Sequence, residues 1–386
     1  MAKDKRTYNV FFNVHTVSGI VISIGLFVIF LAGAFALFRS EINAWQYNVP
    51  HRAVKMDIDY ERVLALVEAE GYAVEGRSIN IRYSPTAHYV QAFSQAMELD
   101  STEAAGIQGN TERIRMRFDP DTYAVLDEAQ NRSGFLGTYI YQLHYFRQIP
   151  VVGVYISGFI ALFFAFAVIS GVVVHWRKIA TNFFTFRIKS SLKNLWTDAH
   201  VALGILGLPL QFMYAVTGAY LGISGLVYLP ILFLQFQGDF DKIAEAVNPP
   251  ANHLELPAPE ANAMALGINT WVHTEVATLD PEEIRSQSIT IDHYQQPEAH
   301  VTLSTTYKGQ SEFFTRAHKT IRLVDGFLIE EENQGEGNAF NTTQETLINL
   351  HYARYGGVFM KIVYFVLALI TCFVIISGVM VWLVAR

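Results

Sequence analysis

Four stretches of the 386-residue chain carry no charged side chain: Val17 to Phe38, Ile149 to Val174, Val201 to about Leu226, and Ile362 to Ala385. Each is longer than the roughly 20 residues a helix needs to cross a hydrocarbon core. Lipid offers no partner to a backbone amide, so an isolated apolar run of this length pairs its amides within itself, as a helix. The pattern between the runs differs. DYERVLALVEAEGY has the period of an amphipathic helix, and SINIRYSP, HYVQAFSQ and RIRMRFDPDTYAVLDEA alternate as strands with an Asp-Pro-Asp turn. SITIDHY, HVTLSTTY, EFFTRA and TIRLVDGFLIEEE read as a second meander. The expected fold class is membrane α-helical, a four-helix bundle carrying two small α+β domains.

Charge sets the orientation. Lys3, Lys5 and Arg6 precede the first run, and Arg177, Lys178, Arg187, Lys189 and Lys193 crowd the short link between the second and third. Basic short segments stay in the cytoplasm, which places both termini there and exports the two long segments. The expected organisation is 1–38, cytoplasmic N-terminus and first helix; 39–148, first outer domain; 149–176, second helix; 177–197, basic loop; 198–237, third helix with an interfacial extension; 238–355, second outer domain; and 356–386, fourth helix. The first run, at 22 residues with no small-residue cleavage site after it, reads as a retained helix rather than a removable signal. Only 16% of residues are charged, below the roughly 25% of soluble domains, which agrees with lipid as a partner. The net charge of -7 argues against nucleic acid. The single cysteine, Cys372, excludes an intramolecular disulfide, a cysteine-ligated iron–sulfur cluster and thioether-linked haem.

The helical part is duplicated. NVHTVSGIVISIGLFVIFLAGAF aligns without gaps on DAHVALGILGLPLQFMYAVTGAY, so His15, Gly19, Phe27 and Gly33 fall on His200, Gly204, Phe212 and Gly218. LHYFR leading to ISGVVVHW aligns on LHYAR leading to ISGVMVWL, so His144 and Arg147 fall on His351 and Arg354, and Ser170-Gly171 on Ser377-Gly378. The first and third helices run the same way, so the halves are parallel repeats about an axis along the membrane normal.

Five of the 12 histidines sit at helix ends, in two layers. His15, His175 and His200 lie at cytoplasmic ends; His144 and His351 lie just outside the outer starts of the second and fourth helices. Two inward layers of imidazole suit two b-type haems, because paired neutral imidazoles saturate the iron and favour electron transfer over oxygen chemistry. Repeat symmetry pairs His144 with His351 and His15 with His200. His175, whose counterpart is Trp382, is either a replacement for one inner ligand or a group that orients one. Arg147 and Arg354 follow the outer histidines at i, i+3 spacing and could hold haem propionates, although a basic interfacial residue can equally snorkel to lipid phosphate. Gly19, Gly33, Gly204 and Gly218 would admit a flat macrocycle or simply a neighbouring helix. His51, His88, His253, His273, His293, His300 and His318 show no metal-ligand spacing.

HTVSG with FLAGAF and EINAW, LHYFRQIP, SGVVVHWRKIATNFFTFR, WTDAHVALGILGLPLQFMYAVTG and LHYARYGG together resemble the PepSY-associated transmembrane proteins, which include bacterial inner-membrane ferric-siderophore reductases. The likeness covers nearly the whole chain and is looser in the outer segments. It implies PepSY-like periplasmic domains and a haem-bearing oxidoreductase that passes electrons outward to ferric iron held by a siderophore or other chelate. Hard oxygen chelators hold ferrous iron less tightly, so reduction would release it. No dinucleotide fingerprint or P-loop appears, so the donor is another protein, a membrane quinol or a diffusing reduced flavin or nicotinamide. Two other readings stand beside this one: a membrane-anchored regulator whose PepSY-like domains bind a peptidase or other partner, needing no cofactor, and a transporter, which the lack of carboxylates or lysines within the helices disfavours.

Overall fold

The computed structural model describes residues 2–46, 48, 52–85, 87–97, 109–126, 135–176, 179–184, 187, 191–239, 242, 266–308, 314–336 and 338–385. In chain order the elements are α1 (Ala2–Ala36), α2 (Arg39–Gln46), α3 (Tyr60–Ala69), β1 (Ile79–Ser84), β2 (Tyr89–Ser94), β3 (Ile114–Phe118), α4 (Leu136–His144), α5 (Val152–His175), α6 (Ile179–Phe183), α7 (Leu192–Phe236), α8 (Ile268–Val276), β4 (Ile284–Asp292), β5 (His300–Tyr307), β6 (Arg316–Arg322), β7 (Leu328–Glu332), α9 (Ala339–His351) and α10 (Gly357–Val384). They form two compact units, one of residues 1–42, 134–243 and 344–386, the other of residues 43–133 and 244–343. Arg177, Lys178 and Lys189, His51 and His253, and the first residues of EFFTRA lie outside the described residues.

The first unit is a membrane bundle. α1, α5, α7 and α10 are each long and apolar enough to span, and each packs on two others in the cycle α1, α5, α7, α10. α7, at 45 residues, outruns its stretch most, beginning in the polar segment from Leu192 and continuing through apolar residues to Phe236. α5 starts later than Ile149 because Pro150 precedes it and Val151 takes a left-handed φ of 62°. α5 and α7 cross with backbones touching: a Cβ on Gly222 would stand 2.3 Å from the Gly158 Cα. Small residues at a crossing are what permits so close an approach. α4 and all but the first five residues of α9 also belong to this unit, whose segments break at 42/43, 133/134, 243/244 and 343/344.

The second unit corrects the expectation of two separate small domains. All seven strands form one antiparallel sheet in the order β3-β2-β1-β4-β5-β6-β7. The two chain segments join where β1 pairs with β4, Ile79 opposite Ile291 and Ile81 opposite Ile289, all four side chains fully buried. Three strands in one segment and four in the other each leave an edge; pairing those edges removes both and merges the apolar faces into a single core. α3 and α8 pack together as elements of that core. Asn269, beside the start of α8, accepts from the Tyr60 amide at 2.8 Å and donates to Asp59 Oδ1 at 2.7 Å, so one segment caps the helix of the other. The expected strands EFFTRA and TIRL are one strand, β6. At the Asp-Pro-Asp turn, Asp119 accepts from the amides of Asp121 and Thr122, and these bonds hold its carboxyl below the usual carboxylate range.

Candidate functional site

The bundle brings the predicted histidines together in pairs. The ring centroids of His15 and His200 lie 5.9 Å apart, and those of His144 and His351 also lie 5.9 Å apart. Two imidazoles that grip one metal from opposite sides put their centroids about 6 Å apart, given metal–nitrogen bonds of about 2 Å. Both pairs meet that requirement.

Each ring is fixed through Nδ1. His15 Nδ1 lies 2.8 Å from the Ala167 carbonyl, His200 Nδ1 2.9 Å from the Val374 carbonyl, and His144 Nδ1 2.8 Å from the Ile29 carbonyl. A carbonyl only accepts, so the proton sits on Nδ1 in all three. His351 Nδ1 lies 2.9 Å from Thr217 Oγ1. The single Thr217 hydroxyl proton goes to the Met213 carbonyl at 2.8 Å, so here too the imidazole donates. In each of the four the neutral ring therefore keeps its Nε2 lone pair free of that proton, the state a metal-ligating histidine needs.

Local sequence explains the seats. His144 and His351 are the last residues of α4 and α9, and each helix ends in a Schellman turn. Phe146 and Ala353 take left-handed φ values of 54° and 48°, and the amides of Arg147 and Arg354 return to the carbonyls of Gln142 and Asn349. A Cβ on Gly33 would stand 2.7 Å from His144 Nδ1, one on Gly171 3.1 Å from the His15 ring, and one on Gly378 3.0 Å from the His200 ring. The repeated Ser-Gly thus has two tasks. Its glycine clears space for the ring, while Ser377 donates to Val374, the carbonyl that holds the His200 imidazole, and Ser170 lies 2.6 Å from the Phe166 carbonyl and 3.1 Å from that of Ala167.

Each pair opens on its own cavity. One of about 400 Å³ is lined by His144, His351, Gly33, Gly218, Tyr141 and Tyr214, among others. The second, of about 530 Å³, includes His15, His175, His200, Gly19 and Gly204 in its lining. Both volumes suit a bound cofactor. No side chain lies within 4 Å of a Cβ built on Gly19, and on Gly204 the nearest atom is 4.0 Å away, so a larger residue there would project into open space. Among the described residues no cluster of three or more ligating side chains occurs. The donor set therefore fits a flat cofactor that brings its own equatorial ligands and takes one imidazole on each face.

His175 lines the larger cavity, while the ring-to-ring pair there is His15 with His200. The i, i+3 argument for Arg147 and Arg354 is corrected, because the chain leaves the helix directly after each histidine. Arg147 is exposed, and Arg354 turns over the Tyr352 ring at 4.8 Å. Sequence reasoning missed Thr217, which replaces Ala32 of the first half, and the tyrosines of the smaller cavity. It also missed Asp198: its buried carboxylate takes the Arg187 guanidinium at 2.9 and 2.8 Å and the Arg187 amide at 3.0 Å, tying the link before α7 to a point two residues ahead of His200. The signal was present in FFTFR and DAH.

Four membrane-spanning helices, a separate antiparallel sheet and two half-buried histidine pairs define a multi-pass membrane protein with a helix-borne site. The chain belongs to the family of the PepSY-associated TM region, which matches residues 12–385. Among curated proteins none matches it.

Proposed function

We propose that this protein is a di-haem b electron carrier of the bacterial inner membrane that reduces a ferric chelate, a ferric siderophore by class, on the periplasmic side. The observation that carries the reading is the recurrence of one arrangement: two histidines 5.9 Å apart, Nδ1 engaged, facing a cavity, at both layers. Within one layer the two rings are held alike, since Ala167 and Gly171 serve His15 as Val374 and Gly378 serve His200. By the positive-inside argument the His15–His200 pair is the inner one and His144–His351 the outer one.

His15 and His200 would hold one haem and His144 and His351 the other. Bound there, each haem would supply a one-electron iron couple. The protein's own part is to orient the four imidazoles through Nδ1, which leaves Nε2 as the acceptor nitrogen of each neutral ring. α1 and α7 carry His15 and His200, and α4 and α9 carry His144 and His351, so both seats lie on helices of the bundle unit. The final acceptor takes one electron per ferric ion, and its release as ferrous iron follows from weaker chelation.

The test is the visible spectrum of the detergent-purified protein, oxidised and dithionite-reduced, with haem counted by pyridine haemochrome. The expected result is low-spin haem b at two per chain. A colourless protein from haem-replete cells would overturn the reading and bring forward a PepSY-type regulator that binds a periplasmic peptidase or other partner.

A further inference from the structure

Arg39 and Arg147 are both exposed, but Arg39, a cation absent from the repeat pattern, stands against a tyrosine that lines the His144–His351 cavity. Arg39, two residues past the cavity-lining Leu37, holds its guanidinium carbon 4.8 Å over the Tyr141 ring and donates from Nε to Thr138 Oγ1 at 3.2 Å. The Tyr141 hydroxyl lies 2.8 Å from that of Tyr352, whose ring carries Arg354 at 4.8 Å. Two guanidiniums thus bracket a hydrogen-bonded tyrosine pair, and both tyrosines line the cavity.

Arg39 has no carboxylate partner among the described residues, and the acid nearest it in sequence, Glu41, is taken by Lys361 at 2.8 Å. A stacked arginine whose Nε is committed still offers the N–H groups of both terminal nitrogens, the geometry that grips a carboxylate in two places. Stacking on Tyr141 and the bond to Thr138 hold that group in place beforehand, which reduces the ordering cost of binding.

We infer that Arg39 is the residue that receives a carboxylate of the ligand in the outer cavity, with Arg354 flanking it and Arg147 taking no part. Resting on the function proposed above, that carboxylate is a haem propionate. The position fits the chemistry. The polar edge of an otherwise apolar macrocycle needs charged partners at the rim of its pocket, and tyrosine hydroxyls with a guanidinium supply them without placing a charge among the spanning helices.

The experiment compares full-length wild type, Arg39→Met and Arg147→Met, each reconstituted with haem or with haem dimethyl ester, which has no carboxylate. The readout is the rate of haem transfer to excess apomyoglobin, with the outer phase identified by its loss in His351→Ala. Arg39→Met should speed the outer phase about tenfold or more with haem and leave it unchanged with the ester, as expected for loss of a charge-assisted bond; Arg147→Met should change neither. A merely structural role for Arg39 would accelerate loss of both ligands equally, and that outcome overturns the inference. So does an ester-sensitive loss in Arg147→Met with none in Arg39→Met, in a wild type that still carries two haems. A wild type that takes up no haem brings down the proposed function, and Arg39's role with it.

Discussion

His144 and His351 end two helices far apart in sequence, yet their rings face each other at 5.9 Å and each helix closes in the same left-handed turn two residues later. Neither ring can be replaced from within its own helix. His144→Ala or His351→Ala should therefore reduce the haem count from two to about one per chain, with the remaining spectrum that of the inner site. Two full haems in either variant would refute the pairing.

The glycine seats make a sharper comparison. Gly33 admits no Cβ without moving His144, whereas Gly19 faces open space. Gly33→Ala should weaken or abolish the outer haem while leaving the inner one. Gly19→Ala, whose Cβ would project into the cavity proposed to hold the inner haem, should weaken that haem and leave the outer one. Haemochrome counts on the two variants decide this, and an intact outer haem in Gly33→Ala would show that the ring can retreat.

Thr217 Oγ1 is the partner that fixes His351 Nδ1, where a backbone carbonyl serves each of the other three rings. Thr217→Val keeps shape and removes that acceptor, leaving the His351 proton without its bond. Losses of this kind weaken metal binding by about 10–100-fold. Faster outer-haem loss in Thr217→Val, restored in Thr217→Ser, is the expected result; equal rates in wild type and both variants would refute it.

Much of this was legible before any coordinates. Uncharged runs specify helices, period-two alternation specifies strands, and the repeat specifies which histidines meet. The misses have physical causes. Alternation says which residues of a strand are buried but nothing about which edge it pairs, so the junction of Ile81 with Ile289 could not be read from either segment alone. Phe146 and Ala353 occupy helix-ending positions that usually carry glycine, so the turns that carry Arg147 and Arg354 off the helical path left no mark in the sequence. Arg39 has no counterpart in the second half and so fell outside the repeat.

Acid should act on the sheet unit through Asp325. The Arg322 guanidinium beside it holds its carboxyl below the usual carboxylate range. A carboxyl depressed in the folded state stabilises it above the unfolded pKa, about 4, and loses that contribution as pH falls through the folded value. Asp325→Asn should flatten the acid limb below about pH 4 and lower stability at neutral pH. Buried Trp271 gives a fluorescence readout within this unit, and an unchanged acid limb would remove Asp325 from the account.

One sheet built from two segments should unfold as one. Ile81 and Ile291 lie in different segments yet share the β1–β4 junction and the same core, both fully buried. Truncating either to alanine leaves a cavity costing about 2–5 kcal/mol. If the segments were separate domains, Ile81→Ala would lower the stability of the first alone and Ile291→Ala that of the second. As a single cooperative unit, both variants should shift one common transition by similar amounts, seen alike by Trp271 fluorescence and by protease cleavage in residues 52–126. Two transitions moving independently would restore the two-domain description and separate the capping pair Asn269 and Asp59 from any shared stability.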